Sequence, residues 1–273
     1  MAPRPIGVLQ GLQASRTPFS MCRAYKDIQH KSVAERLAIM RDPAFRAQIL
    51  KEANEPLRSD MAARLTDYDR MFPLGDPPNY EPAQDSSLGA RARRENRDPR
   101  EVVYDYLIEG EGKNFIFAPF ANFAAYNLDC CSEMMQSPHT LNGLGDGGAH
   151  VGLISDGSFP TSLLSHWGRD RAAGKLDVSW LVKRHTSDNA RAVGLNDRGR
   201  LAAGYKADLN VIDFDKLRVE APVMKWDLPA GGKRLLQKAR GYRATIVSGA
   251  VTYRDGEATG ALPGKLVRGY PSA

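Results

Sequence analysis

The glycine-rich run of residues 137–150, SPHTLNGLGDGGAH, constrains the fold of this chain more than any other feature. It places one carboxylate, that of Asp146, in a turn just past a short apolar stretch. Glycines permit sharp turns and close approach by a ligand, and in a parallel β/α architecture a side chain at the carboxyl end of a strand points into the site. The run therefore indicates either a functional carboxylate, able to bind metal or act as a general base, or a structural Asp-Gly turn.

The overall composition is that of an ordinary soluble globular protein. The 273 residues are 42% hydrophobic and 26% charged, which allows one large domain or two smaller ones with a real core. No apolar run approaches the roughly 20 residues needed to cross a bilayer, and the N-terminus lacks the apolar segment of a signal peptide. We therefore expect a cytoplasmic protein with no membrane partner.

The net charge of +6 could suggest a polyanion partner. The densest basic stretch, residues 90–100, has no interleaved aromatic residues and no nucleic-acid-binding motif. Charge runs of this kind are usually solvated surface. We therefore expect a loop at this position and no nucleic-acid partner.

The cysteines are three in number, and two of them are adjacent: Cys22, Cys130 and Cys131. An odd count with an adjacent pair argues against a disulfide framework and favours a reducing compartment. Adjacent cysteines also lack the C-x₂-C spacing of a zinc site. The pattern predicts buried structural thiols.

Apolar spacing predicts several helices. One helical stretch covers residues 32–54 and is divided at Pro43, and two more cover residues 159–172 and 178–193. Asp98-Pro99 is a good helix start, because Asp can cap the helix and Pro suits its first position.

The remaining segments are a polar excursion and a β-rich end. Residues 73–97 are polar and rich in Pro, Gly and Asp, which predicts an excursion or connecting loop. Residues 207–214 and 244–253 are strand-like, and Ser248-Gly249 suggests a tight hairpin turn between two strands. The C-terminal third is therefore expected to be mainly β.

The run 137–150, together with TSDNARAVGL at 186–195 and DRGRLAAGYKADL at 197–209, resembles the C-terminal half of amidohydrolase-superfamily proteins. The resemblance is closest to the N-acyl-D-amino-acid deacylase (D-aminoacylase) branch. It implies an α/β fold: residues 1–196 would be the incomplete C-terminal part of a TIM-like (β/α)₈ metal-dependent hydrolase barrel. Residues 197–273 would supply strands of a small β-sandwich. A complete barrel takes about 250 residues, so only two or three β/α units fit.

The same resemblance implies roles for individual residues. Asp146 would be the catalytic carboxylate that touches a zinc ion and its hydroxide, takes the proton as hydroxide attacks, and passes it to the departing amine. His150 would contact the substrate or orient Asp146. Arg169 is a candidate for binding the substrate carboxylate, although a surface arginine is the plainer interpretation. Asp156, which precedes a second Asp-Gly pair, is the alternative to Asp146.

The metal ligands of the family have no counterpart here. No two of the five histidines are separated by a single residue, so the family's His-x-His pair is absent: His30, His139, His150, His166 and His185. One Asp cannot supply the three protein ligands that a catalytic zinc normally has. We therefore expect the isolated chain to be inactive and to need a missing N-terminal half or an oligomer partner. A truncated gene model, a split-enzyme subunit and a relic stay open as explanations.

These observations predict a metal-dependent amidohydrolase. The intact enzyme would hydrolyse the linear amide of a small-molecule N-acyl-D-amino acid to a carboxylate and a D-amino acid. One alternative is a cyclic amidase of the same superfamily, similar to hydantoinase or dihydropyrimidinase. The other is a non-catalytic degenerate fragment or scaffold subunit.

Overall fold

The structure is a computed structural model that describes residues 1–54, 63, 65–143 and 150–267. Within these ranges the helices are α1 (Arg23–Ile28), α2 (Val33–Met40), α3 (Pro43–Glu52), α4 (Leu88–Glu95), α5 (Pro99–Ile108), α6 (Asp129–Gln136), α7 (Phe159–Ser165), α8 (Val178–His185) and α9 (Ser187–Ala192). The strands are β1 (Ile6–Gln10), β2 (Phe72–Pro73), β3 (Ile116–Ala121), β4 (Leu209–Ile212), β5 (Arg218–Val219), β6 (Val223–Leu228), β7 (Gly232–Leu236), β8 (Ala239–Arg240), β9 (Tyr242–Val247), β10 (Ala250–Arg254) and β11 (Glu257–Ala258).

Capping residues fix the starts of the N-terminal helices. Ser32 and Glu35 form a reciprocal capping box on α2. Asp42 accepts hydrogen bonds from two amides of α3, which begins at Pro43, so the predicted division at this proline is confirmed. Asp98 caps α5 in the same way through the amide of Arg100, at 2.8 Å, and the predicted helix start is confirmed.

A three-stranded sheet in the order β1-β3-β2 lies in the core. Leu9 of β1 and Phe72 of β2 both pair with Phe117 of β3, and both pairings are antiparallel. The resemblance implied parallel strands, yet every strand pair among the described residues is antiparallel. The difference was invisible in the sequence because a strand buried on both faces is a continuous apolar run whichever way it is paired. The incomplete barrel thus remains a prediction.

The main core cluster joins the N-terminal helices. Tyr104 of α5 is fully buried, meets Phe19 edge to face at 5.5 Å, and donates a hydrogen bond of 2.7 Å from its hydroxyl to the carbonyl of Met40. A second cluster is centred on Trp167, which is 1% exposed and packs with Phe72. Burial of large side chains such as these stabilises a fold by roughly 1.5–3 kcal/mol each.

The predicted polar excursion contains a helix. Ser87 caps α4, which turns its buried residues Leu88 and Ala92 toward the core. The predicted loop over residues 90–100 is therefore wrong except at residues 96–98, because α4 and the start of α5 cover the rest and the arginines of α4 lie on its outer face. Arg91, for example, is paired with Glu95 one helical turn away at 2.7 Å.

The C-terminal part is β-rich, as predicted. A four-stranded antiparallel sheet has the order β11-β10-β9-β4. The predicted hairpin is confirmed: β9 and β10 are joined by Ser248 and Gly249, whose φ angles of 51° and 81° match the positive φ values of a type I′ turn. Two further hairpin-like pairs, β5-β8 and β6-β7, stand apart from this sheet. The division at residue 196 and the β-sandwich stay predictions.

Segments far away in sequence hold the N-terminal residues. The amide of Leu9 donates to the carbonyl of Leu153 at 2.7 Å, and the amide of Ser15 donates to the carbonyl of Gly152 at 2.9 Å. Lys233 on β7 donates to the carbonyls of residues 13 and 14, at 2.9 and 3.0 Å. Trp167 donates from Nε1 to the carbonyl of Pro3 at 2.7 Å. Residues 3–15 are thus held by three separate later segments.

Membrane-spanning helices are absent from the described ranges, where no helix combines the length and the apolar character that a span requires.

Candidate active site

Asp146, the predicted catalytic carboxylate, lies outside the described residues. Both flanks of the segment that contains it are described. Upstream, the amide of Gly143 donates to the carbonyl of Met1 at 3.0 Å, and the Met1 amino group donates to the carbonyl of Leu141 at 2.5 Å. Downstream, the carbonyl of Leu153 accepts from the amide of Leu9 on β1. Both flanks therefore attach to the N-terminal segment.

His150 begins the downstream flank. It is exposed and has a φ of 51°, an uncommon conformation for a residue other than glycine. Its carbonyl accepts hydrogen bonds from the amides of Leu153 at 2.8 Å and Ile154 at 3.0 Å. Its backbone forms a turn, and its side chain makes no hydrogen bond to another described residue.

Asp156, the alternative carboxylate, is the partner of a buried arginine. Arg4 is 4% exposed and donates from Nη2 to Asp156 Oδ1 and to the carbonyl of Ser155, both at 2.5 Å. The same guanidinium lies 4.3 Å from the centre of the Tyr80 ring. A desolvated arginine needs such a counter-charge, so this geometry gives Asp156 a structural role.

Arg169, the candidate for binding the substrate carboxylate, lies on a wall of a cleft with a volume of about 860 Å³. Its guanidinium donates to the carbonyls of Phe214 and Leu217, the latter at 2.6 Å, and to both oxygens of Asp170. Every nitrogen of this side chain thus has a hydrogen-bond partner, and Nη1 and Nη2 tie the wall to the C-terminal part.

A carboxylate whose side chain is 14% exposed, that of Glu81, accepts hydrogen bonds from several groups of the same cleft. Glu81 lies 2.7 Å from His166 Nε2 and accepts hydrogen bonds from Arg171 Nε and Nη2 at 3.0 Å and from the amide of Leu128 at 2.9 Å. Arg171 is 8% exposed, and its Nη2 also lies 2.6 Å from the exposed Asp129. The network joins the loop before α4, the start of α6 and the turn after α7.

The network sets the ionisation of Glu81. Burial raises the pKa of the Glu81 carboxyl, but hydrogen bonds from His166, Arg171 and the amide of Leu128 outweigh that effect and bring the pKa to about 2. The hydrogen bonds to Glu81 raise the pKa of the Arg171 guanidinium. Glu81 is thus a carboxylate at neutral pH, and an acceptor only.

The cysteines only partly match the prediction of buried thiols. Cys22 and Cys131 are buried, whereas Cys130 is exposed. Burial raises the pKa of the Cys131 thiol to about 12, and the neighbouring Cys130 adds to that effect. Adjacent helical residues point in different directions, which the apolar spacing does not reveal for so short a helix.

The described residues do not fit a catalytic metal ion. No three of their His, Cys, Asp and Glu side chains are close enough together to hold one. His166 uses Nε2 for Glu81, and His185 packs edge-on against Phe159 while burial lowers its pKa. The zinc ligands that the resemblance implies are therefore not found within the described part of this chain.

Sequence reasoning missed Glu81 and Arg171. Glu81 lies in the segment interpreted as a polar excursion, 85 residues before His166, and no local spacing links the two. The available signal was the density of cationic and aromatic groups in residues 166–171, HWGRDR, which predicts an acidic partner without identifying it.

Known proteins resemble this chain over most of its length. A model of the Amidohydrolase family matches residues 4–253. The 5-methylthioadenosine/S-adenosylhomocysteine deaminase of Desulfitobacterium hafniense is 33% identical over 104 residues, which is 34% of this chain and 24% of the deaminase. The same match is found in a second strain of that organism.

Solved structures of D-aminoacylase also resemble the chain. One defines a novel subset of amidohydrolases, and another concerns the binuclear metal center of D-aminoacylase. Each is 21% identical, covers 70% of this chain and 36% of the other, and has a TM-score of 0.38. The chain therefore spans about a quarter of the curated relative and little more than a third of the solved structures.

Proposed function

The chain belongs to the Amidohydrolase family, and from that premise we propose that it provides the proton-transferring part of a hydrolase acting on a linear N-acyl amide. The products would be a carboxylate and a free amino acid. The observation that carries the proposal is the family match over residues 4–253, because it includes the whole run 137–150.

Asp146 is the residue we assign to the chemistry. A carboxylate in a glycine-rich segment of sequence can take a proton from the attacking water and return it to the departing amine, which is general base catalysis followed by general acid catalysis. His150, four residues later, would contact the substrate. Arg169 would bind the substrate carboxylate only after exchanging its hydrogen bonds with residues 214 and 217.

The proposal includes dependence on a metal, with zinc as the expected ion. The described residues do not supply a ligand set, so in this proposal the remaining ligands come from other polypeptide, either joined to this sequence or in a second subunit. We assign no step of the reaction to the metal.

A second candidate is hydrolytic deamination of a purine nucleoside. The identity of 33% to a 5-methylthioadenosine/S-adenosylhomocysteine deaminase favours it. The two candidates differ in product, because deamination releases ammonia and amide hydrolysis releases an amino acid.

The test uses the protein purified from its own cells with its natural partners and supplied with Zn²⁺. Substrates are N-acetyl-D-amino acids, their L-enantiomers, a hydantoin and 5′-methylthioadenosine, with amino acid and ammonia measured separately. Asp146→Asn should lower turnover of the N-acyl amide by about 10²–10⁴-fold. Asp227→Asn is the matched control, because Asp227 is an exposed carboxylate paired with Arg234 on the β6-β7 hairpin.

Each outcome decides between the candidates. Ammonia from the nucleoside with no amino acid released would favour the deaminase. Equal turnover in the two Asp variants would remove Asp146 from the mechanism. No hydrolysis of any substrate would contradict the hydrolase proposal and leave the non-catalytic alternative.

A further inference from the structure

The cleft beside Arg169 contains a histidine that the proposed amide hydrolysis does not use. We propose that this cleft is an additional hydrolytic site. In it, His166, oriented by Glu81, activates a water molecule that attacks an activated ester, and that ester carries a carboxylate. The site is built entirely from described residues, and it rests on neither Asp146 nor a metal.

The first argument is the orientation of the imidazole. Glu81 is ionised and can only accept, so His166 Nε2, at 2.7 Å, must carry the proton of the neutral ring. The bare nitrogen is then Nδ1. Nδ1 makes no hydrogen bond to another described residue, and the side chain, at 29% exposure, borders the cleft. A base held in one tautomer, with an unbonded nitrogen on a side chain that lines a cleft, suits general base catalysis.

The second argument is the rigidity of the support. Arg171 holds Glu81 through both Nε and Nη2, and its guanidinium lies 4.6 Å from the centre of the Trp167 ring. Trp167 is itself fixed by the hydrogen bond from Nε1 to Pro3. Residues 166–170 form a π-helical turn that continues α7, and such turns often occur at functional sites. The imidazole is therefore positioned before any ligand arrives.

The third argument concerns the ligand. Arg218 on β5 borders the same cleft, is exposed, and makes no side-chain hydrogen bond or ion pair to another described residue. The other arginines of the cleft, Arg4, Arg169 and Arg171, are all bonded to carboxylates. A cation with no counter-charge at the edge of a cleft attracts an anion, so the ester is expected to carry a carboxylate.

The rate enhancement that one histidine can supply limits the reaction to hydrolysis of an activated ester. Proton transfer by one positioned histidine contributes about 10²–10⁴-fold, which suffices for an aryl ester with a weakly basic leaving group. Water gives a proton to His166 Nδ1 as its oxygen bonds to the acyl carbon. The bond from that carbon to the aryl oxygen then breaks, and the imidazolium returns the proton to the departing aryloxide. The products are a carboxylic acid and a phenol, and no other reactant is needed.

The experiment measures ester hydrolysis by the full chain in the presence of EDTA. Two probes are compared, neutral para-nitrophenyl acetate and anionic para-acetoxybenzoate. His166→Gln should lower kcat/KM for both probes by about 100-fold, whereas His30→Gln, at an exposed histidine, should leave it unchanged. Arg218→Ala should raise KM for the anionic probe alone.

Glu81 is a positioning residue in this proposal. Glu81→Gln should lower kcat and leave KM unchanged, because the substrate does not touch it. Thermal melts show which variants fold. If His166→Gln does not fold, carbethoxylation of the parent chain replaces it, and activity should fall in proportion to modification of His166.

The proposal is overturned if His166→Gln retains the rate of the His30→Gln control, or if modified His166 leaves the activity intact. It is also overturned if Arg218→Ala affects the two probes equally. The presence of EDTA distinguishes this result from failure of the proposed amide hydrolysis. Amide hydrolysis depends on metal and on Asp146, whereas the ester hydrolysis measured here needs neither.

Discussion

Replacement of Glu81 by glutamine tests the electrostatics of the cleft most directly. The substitution keeps the shape of the side chain and removes its charge. It leaves Arg171, which is 8% exposed, without its main counter-charge, while the exposed Asp129 remains. Removal of one partner of a buried ion pair costs about 3–5 kcal/mol, so the variant should lose about that much free energy of unfolding at pH 7.

The pH dependence of this loss gives a sharper test. The pKa of the Glu81 carboxyl is about 2 in the folded chain, against an ordinary value of 4.5. Each pKa unit is worth about 1.4 kcal/mol, so ionisation of Glu81 stabilises the fold by about 3.5 kcal/mol at neutral pH. Because the folded pKa is the lower one, this stabilisation is complete about one pH unit above 4.5 and is lost as the pH falls toward 2.

Urea unfolding of the parent chain and of Glu81→Gln, from pH 7 to pH 3.5, measures the effect. The difference between the two should be constant above about pH 5.5 and smaller by about 1.4 kcal/mol at pH 3.5. Asp129→Asn is the control, because an exposed partner of the same arginine is worth less than about 1 kcal/mol. A difference that stays constant down to pH 3.5 would refute the claim that the network holds Glu81 ionised.

Three further outcomes are expected. Asp156→Asn leaves Arg4 buried without its carboxylate and should lower the free energy of unfolding by about 3–5 kcal/mol; loss of activity at unchanged stability would instead support Asp156 as the catalytic residue. Tyr104→Phe removes the hydrogen bond to Met40 and should cost about 1–3 kcal/mol in chemical denaturation, because the Met40 carbonyl is left unpaired; an unchanged midpoint would contradict it. A maleimide should label Cys130 in the folded chain and reach Cys131 only on unfolding, because Cys131 is buried and its thiol pKa is about 12; equal rates by mass spectrometry would refute this.

Short sequence motifs were enough to predict the starts of α3 and α5 and the β9-β10 hairpin. Asp42-Pro43 and Asp98-Pro99 each contain both the capping group and the residue that suits the first turn. Ser248-Gly249 likewise contains the turn chemistry that β9 and β10 need. In each case the residues that determine the local conformation are neighbours in the chain, so the conformation can be predicted from the sequence alone.

Features set by distant contacts were not predictable in this way. The antiparallel pairing of β1 with β3 joins residues more than 100 positions apart, and burial on both faces removes the alternation that distinguishes strand environments. The partner of His166 lies in a segment whose composition indicates only a loop. The candidate site was therefore predicted as separate residues, Asp146, His150 and Arg169, whereas the cleft network was not.

The way β1 is held has a consequence for synthesis on the ribosome. Its strand partner β3 is made more than 100 residues later and Leu153 later still, and Lys233, which bonds to residue 13 just beyond β1, is 220 positions away. Contacts of such long sequence separation slow folding, because a large loop must close before they form. Residues 1–15 are thus synthesised long before the segments that contact them. Until those segments are made, the apolar side chains of residues 1–15 stay exposed to solvent. Nascent chains of this protein should therefore depend on chaperones.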